Sequence, residues 1–375
     1  MRLLLLPLTA EAVVAATTPL TAMADSFIRR GVTPANGYDQ MTLYRGYELA
    51  YNLTGNETYA SWYRGQIDAL VTSDGMIKGW DFEAYSLDNY RMGNNLLYWY
   101  DQTGEAKYKD AASIIREQLN RHPRTATGGF WHRSPDYPNQ MWLDGIFMAD
   151  SFYARWTSSF DNENITAWDD IALQYDNIEA HTRNATTGLL LHGYDESKVA
   201  VWADPVTGAS PLVWDRADGW YFLSLLEAIQ VWPRSHPARE TLIEYFTTLA
   251  AGLKKAQDAS GGWWLIMSEQ YVGVEGNYIE SSASAMFTYG LLKGIKEGFL
   301  DRGEYLGPAK KGYELLVDKF LAYNDDGTVD WEGTVLVGSL GSNATFQYYI
   351  SIPTDVNDYK GAGPFMFASY EIETL

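Results

Sequence analysis

A helix that is apolar almost all the way round has to be buried on every side, and this chain carries several. LDGIFMADSFYARW (143–156), ADGWYFLSLLEAI (217–229) and SASAMFTYGLLKGI (282–295) have helical spacing and no broad charged face. The segments that answer them, ARETLIEYFTTLAAGLKKAQD (238–258) and AKKGYELLVDKF (309–320), carry the charge and read as an outer layer. The pairing is visible as an internal repeat. Tyr51-Asn-Leu-Thr-Gly-Asn-Glu-Thr-Tyr59 returns as Tyr100-Asp-Gln-Thr-Gly-Glu-Ala-Lys-Tyr108, each copy lying between two periodic stretches, which predicts helix, Thr-Gly turn, helix. Inner stretches open near residues 40, 88, 141, 213, 280 and 360. Six buried helices ringed by six charged ones predict an all-α (α/α)6 barrel, a single domain over residues 21–375. The β-prone pieces Gly333–Val337 and Thr345–Ile352 are expected as hairpins on its rim. Strand-forming sequence is too sparse for a TIM barrel, and no Gly-rich strand-to-helix turn supports a dinucleotide fold.

Composition narrows the chemistry. The chain has no cysteine and five scattered histidines, so thiolate chemistry is absent and metal chemistry, or any cofactor, is not expected. A net charge of −20 argues against a nucleic-acid partner. With 14 Trp and 27 Tyr it is rich in side chains that stack on sugar rings while offering a polar edge. Residues 1–20 open with one basic residue, an apolar run from Leu3 to Leu8 and small residues at Ala12, Ala15 and Ala16, which predicts a secretory signal or an N-terminal extension. Sequons at Asn52, Asn56, Asn164, Asn184 and Asn343 add N-glycans to that expectation, so the protein is expected to be secreted. No segment approaches the length of an apolar membrane span.

Polar residues that open an otherwise buried helix are the site candidates, because in a barrel those helix starts share one end. Asp144, between Trp142 and Ile146, is the sharpest: apolar surroundings would raise its pKa and let it keep a proton for general-acid work, although an aspartate there can also cap the helix. Asp88 opens the second inner stretch ahead of Arg91 with the same two readings. Paired carboxylates in an aromatic cleft suit glycosidic chemistry. His132 and His192 stand beside aromatics and a cation (Arg133, Lys198). Arg216, between Trp214 and Trp220, can hold a carboxylate bidentately or simply stack on indole.

The strings SLDNYRMGNNLLYWYDQTGEAKY, GGFWHRSPDYPNQMWLDGIFMADSFYARW, HGYDESK, WDRADGWY and GNYIESSASAMFTYGL resemble the family 105 glycoside hydrolases, the unsaturated rhamnogalacturonyl hydrolases, whose cousins are the family 88 unsaturated glucuronyl hydrolases. The likeness runs from about Asp39 to the terminal KGAGPFMFASYE. It implies the same six-hairpin barrel and an unusual hydrolysis, in which a 4,5-unsaturated uronic acid leaves the non-reducing end of a pectin lyase product because its C4=C5 bond is hydrated. Asp144 matches the general acid and base, and Asp88 the second aspartate that holds substrate. The resemblance puts His132, His192, Trp214, Arg216 and Trp220 around the sugar, with Tyr44 and Trp142 as stacking or hydroxyl contacts.

Two departures stand out: Arg133 replaces a lysine, and Asp218 sets an additional carboxylate in the W-x-R-A-x-G-W motif, where it is expected to weaken the hold of Arg216 on an anion. The other readings are an unsaturated glucuronyl hydrolase, another (α/α)6 glycosidase, a uronate lyase (which needs a Tyr/His pair and usually a β-sandwich) and a non-enzymatic carbohydrate-binding protein. Gathering His132, Arg133, His192, Lys198 and Arg216, the pocket is expected to be locally cationic inside an acidic protein.

Overall fold

The computed structural model describes residues 17–375. The first sixteen residues of the expected leader lie outside the described residues, but its last ones do not. Thr18 caps a helix, Pro19–Arg30, whose Leu20 is fully buried and donates its N–H to Glu373. The barrel therefore begins before residue 21.

The six expected inner helices are present: Tyr38–Thr54; Leu87–Tyr90 running into Met92–Thr103; Leu143–Gly145 continuing through a π-helical turn, Ile146–Asp150, into Ser151–Phe160; Asp215–Val231; Ser281–Lys296; and Tyr359–Glu373. Among the described residues, six outer helices alternate with them: Pro19–Arg30, Glu57–Leu70, Ala106–Asn120, Ile165–Thr182, Ala238–Ala256 and Arg302–Leu315. The repeated Thr-Gly turn has a physical cause. Gly55 and Gly104 take the left-handed conformation (φ 65° and 69°) that a side chain resists, and their N–H groups close onto the carbonyls of Tyr51 and Tyr100. At Gly93 an added methyl would lie 2.2 Å from the Phe152 ring, so a bare backbone lets the second and third inner helices close up.

Contacts across the ring fix which faces look at the barrel axis. Tyr38 on the first inner helix meets Trp220 on the fourth, edge to face at 6.1 Å. Two turns further on, Arg45 and Arg91 of the first and second helices both pair with Glu227 of the fourth.

The segments ahead of the inner helices are tied to one another. The first N–H groups of four of these helices, at Leu87, Leu143, Asp215 and Ser281, donate to the carbonyls of His132, His192, Leu265 and Gly333, each of which lies in the next hairpin. Short antiparallel pairs extend these links: Tyr85–Ser86 with Arg133–Ser134, and Gln140–Trp142 with Gly193–Asp195. His132 and His192 are thereby locked beside Asp88 and Asp144. On the rim, Thr334–Val335 does pair with a strand, Thr354–Asp355. The β-prone stretch after Thr345 instead forms a short helix, Phe346–Ser351, because the Thr345 hydroxyl caps it at Tyr348.

Candidate active site

Asp88 and Asp144 each occupy the second position of the first turn of their helix, and the side chain of neither acts as a cap. Both face the axis with small openings to solvent, 16% and 14% of the side chain. Their partners differ. Asp88 Oδ2 accepts from the Arg133 guanidinium at 2.8 Å, and its other oxygen lies 3.7 Å from His132 Nε2. Among the described residues Asp144 has no Lys or Arg partner; its Oδ2 lies 3.0 Å from His192 Nε2.

The expected elevation of the Asp144 pKa is not found. Burial does push it up, but the adjoining His192 ring and its hydrogen bond, with His132 behind, outweigh it and hold the carboxyl below the usual range. Without ligand Asp144 is therefore a carboxylate. His132, sandwiched on Trp142 at 4.1 Å and 3% exposed, is driven down by burial against the pull of both aspartates and stays neutral.

His192, Trp214 and Tyr349 form one aromatic wall, with His192 to Trp214 at 4.7 Å and Trp214 to Tyr349 at 5.8 Å. Trp142 closes the side next to His132 and Tyr137. Trp220 lies one layer down, stacked on Phe147 at 4.7 Å under Tyr38, and forms the floor. Arg216 is on the axis face, but its fork is already used. Nε donates to Ser282 Oγ (2.8 Å), Nη1 to the Leu336 carbonyl (2.5 Å), and Nη2 to Glu280 and the Val335 carbonyl. Its bidentate grip is on Glu280 and the rim, leaving one N–H for a ligand.

Three sequence expectations fail on helix phase or loop geometry. Tyr44 packs outward between Trp62 and Tyr63 and donates to Gln66, because the axis positions of its helix are Tyr38 and, two turns later, Arg45. Lys198 turns onto its own loop and donates to the Val206 carbonyl at 2.6 Å. Asp218 does not stand beside Arg216; it accepts from the Leu190 N–H on the outer side of its helix, near Arg183, and burial raises its pKa well above the ordinary value.

The structure adds three residues. Tyr38 projects between the acids and Arg216, and burial together with Asp88 and Asp144 raises the pKa of its phenol. Lys360, 5% exposed at the start of the sixth inner helix, has one of its three donors on Asp358 (2.6 Å) and lies near enough to Arg216 to feel its charge. The third is Tyr349. A lone cation opening the apolar run GAGPFMFA is the same signal that marks Asp144, so Lys360 is legible in the chain; Tyr38 and Tyr349 carry no such mark.

Residues 18–375 match the model of Glycosyl Hydrolase Family 88. The chain superimposes on a family 105 glycoside hydrolase of C. acetobutylicum with a TM-score of 0.91, at 36% identity over 96% of this chain and 100% of that one. The protein Atu3128 of Agrobacterium fabrum is 37% identical over 194 residues, 49% of this chain and 82% of its own length. The unsaturated rhamnogalacturonyl hydrolase YesR of Bacillus subtilis is 24% identical over 318 residues, 83% of each.

Proposed function

This chain belongs to glycosyl hydrolase family 88, whose members and family 105 relatives include unsaturated uronyl and rhamnogalacturonyl hydrolases, and we propose that it removes the 4,5-unsaturated galacturonic acid from the non-reducing end of rhamnogalacturonan lyase products. The observation that carries this reading is the unequal state of the two axial aspartates. Asp88 is neutralised by Arg133, whereas Asp144 has an imidazole on one oxygen and, among the described residues, no side-chain partner on the other. A pair built for attack at the anomeric carbon would need both carboxyls in direct chemistry. Hydration of an enol ether needs one proton carrier.

C4=C5 is polarised by the ring oxygen. Asp144, protonated once the substrate is in place, gives its proton to C4, and positive charge develops over C5 and O5. Water adds at C5 and returns a proton to the Asp144 carboxylate. The C5 hemiketal then opens: O5 leaves C5 as a ketone forms, and the hemiacetal left at C1 expels the remaining oligosaccharide as an alcohol. One water is consumed and Asp144 ends as it began. Asp88 and Arg133 hold hydroxyls, the last Arg216 N–H and the spare Lys360 donors meet the uronate carboxylate, and Tyr38 lies beside the reacting edge.

The test is the ultraviolet absorbance of the conjugated double bond. The purified protein should bleach it in unsaturated galacturonyl-rhamnose, and Asp144→Asn should abolish bleaching with an unchanged circular dichroism spectrum. Full activity in that variant refutes the assignment, growth of the band identifies a lyase, and bleaching confined to unsaturated glucuronyl disaccharides moves the substrate to the other branch. We read the five exposed sequon asparagines as N-glycan sites of a secreted protein, and enzymatic deglycosylation that leaves its mass unchanged would refute that.

A further inference from the structure

His192 is fully buried, and both of its ring nitrogens are used. Nε2 lies 3.0 Å from Asp144 Oδ2 and Nδ1 lies 2.7 Å from the Tyr349 hydroxyl. The titratable groups around it are Asp144 from the third inner helix, His132 from the neighbouring hairpin and Tyr349 from the rim helix; Trp142 and Trp214 supply the rest of its surroundings. Tyr349 is 1% exposed, and among the described residues its hydroxyl has no other hydrogen-bond partner. If Nδ1 carried the hydrogen, the phenolic hydrogen would be buried without an acceptor, an unmet hydrogen bond that folding disfavours. If Nε2 lacked its hydrogen, the Asp144 carboxylate would face a lone pair. Both ends of the ring ask for the same tautomer.

We propose that Tyr349 is a positioning residue that locks His192 as the neutral Nε2–H tautomer, so that Asp144 always accepts on Oδ2 and carries its catalytic proton on the oxygen turned to the sugar. Were the ring free to change tautomer, a protonated Asp144 could donate to Nε2 and its proton would point away from C4. A second proton on Nδ1 would likewise hold Asp144 ionised when it needs to be an acid. The sequence separation of 157 residues explains why the link is invisible in the chain: a rim helix reaches over the Trp214 wall to set it.

The lock rests on the reading of Asp144 as proton carrier, but its first test does not require turnover. Long-range proton–nitrogen spectra of the ligand-free protein, with the His192 signal assigned by its loss in His192→Gln, should show a neutral ring protonated at Nε2 across neutral pH. Tyr349→Phe keeps the ring and removes only the hydroxyl. It should give mixed tautomers, lower kcat about tenfold or more with KM within about threefold, and move the acid limb of the kcat profile to higher pH. A His192 ring protonated at Nδ1 or at both nitrogens in the wild type overturns the proposal. So does a Tyr349→Phe protein whose ring stays in one tautomer with an unchanged kcat profile. If no unsaturated uronide is turned over, the functional reading fails while the spectra still decide the lock.

Discussion

Asp150→Asn should stabilise this protein, and by an amount that grows with pH. Asp150 ends the π-helical turn that follows Asp144, is 1% exposed, and among the described residues neither of its carboxyl oxygens has a hydrogen-bond partner. Asp170, on the packed outer helix, adds a like charge, and the opposing cation Arg124 is already held by both Asp170 oxygens at 2.6 and 2.7 Å. Burial, reinforced by Asp170, therefore raises the Asp150 pKa well above its ordinary value, and the folded protein keeps it neutral. The unfolded chain ionises it from about pH 4. Because the folded value is the higher one, no cost exists below pH 4, and each unit above it costs about 1.4 kcal/mol until the folded pKa is reached. An amide fills the same space and leaves a similar number of polar atoms unpaired, so the variant should match the wild type near pH 4 and pull ahead of it above that, by about 1.4 kcal/mol for each pH unit until the folded pKa is reached. Urea unfolding followed by tryptophan fluorescence at pH 4, 5, 6 and 7 reads this as diverging midpoints at constant slope. Parallel midpoints across that range, or a variant less stable at pH 7, would refute the claim that Asp150 is buried as the neutral acid.

Glu227 is the opposite case. Burial opposes its charge, but Arg91 and Arg45 overcome that and hold its pKa at about 2, so its stabilisation is complete above the ordinary carboxylate range and is lost only as pH falls through about 2. Glu227→Gln should cost about 3–5 kcal/mol, the same at pH 5 as at pH 8 by urea unfolding. Lys360→Gln should raise KM for the unsaturated uronide at least about tenfold with a smaller change in kcat, as expected for loss of a charge-assisted bond to the carboxylate. Tyr44→Phe removes only the Gln66 contact and should leave kcat/KM unchanged, whereas a large loss would return Tyr44 to the site.

What the sequence reveals here is position along the chain, not direction around a helix. Absence of a charged face, the Thr-Gly repeat and the alternation of layers are all local, and they suffice for the barrel and for the end at which Asp88, Asp144, His132 and His192 gather. Tyr44 and Tyr38 are six residues apart on one apolar helix, and only contacts with the fourth helix settle which of them looks inward. Asp218 is two residues from Arg216, yet an α-helix turns roughly 200° in two steps and sends the two side chains to opposite layers. The pKa of Asp144 depends on a partner 48 residues away that apolar neighbours in sequence do not reveal.

The same partnerships decide how an anion enters the site. The sequence predicts a locally cationic pocket, but Lys198 turns away and each Arg or Lys that does reach the site has an acid of its own: Arg133 with Asp88, Arg216 with Glu280, Lys360 with Asp358. His132 is held neutral, and Asp144 adds an unpaired negative charge. Attraction therefore comes from directed donors on Arg216 and Lys360, not from net potential. A uronate arriving beside Asp144 must raise its pKa by like charge and by further exclusion of water. Binding should then load the catalytic proton. The Asp88→Asn variant, slowed by loss of the second carboxylate, suits calorimetric titration with unsaturated galacturonyl-rhamnose in buffers of different ionisation enthalpy. It should report uptake of about one proton per site near neutral pH, and none when Asp144→Asn is added. Zero uptake in the Asp88→Asn protein would mean that Asp144 is still ionised in the complex, and protonation of C4 from that residue would have to be abandoned.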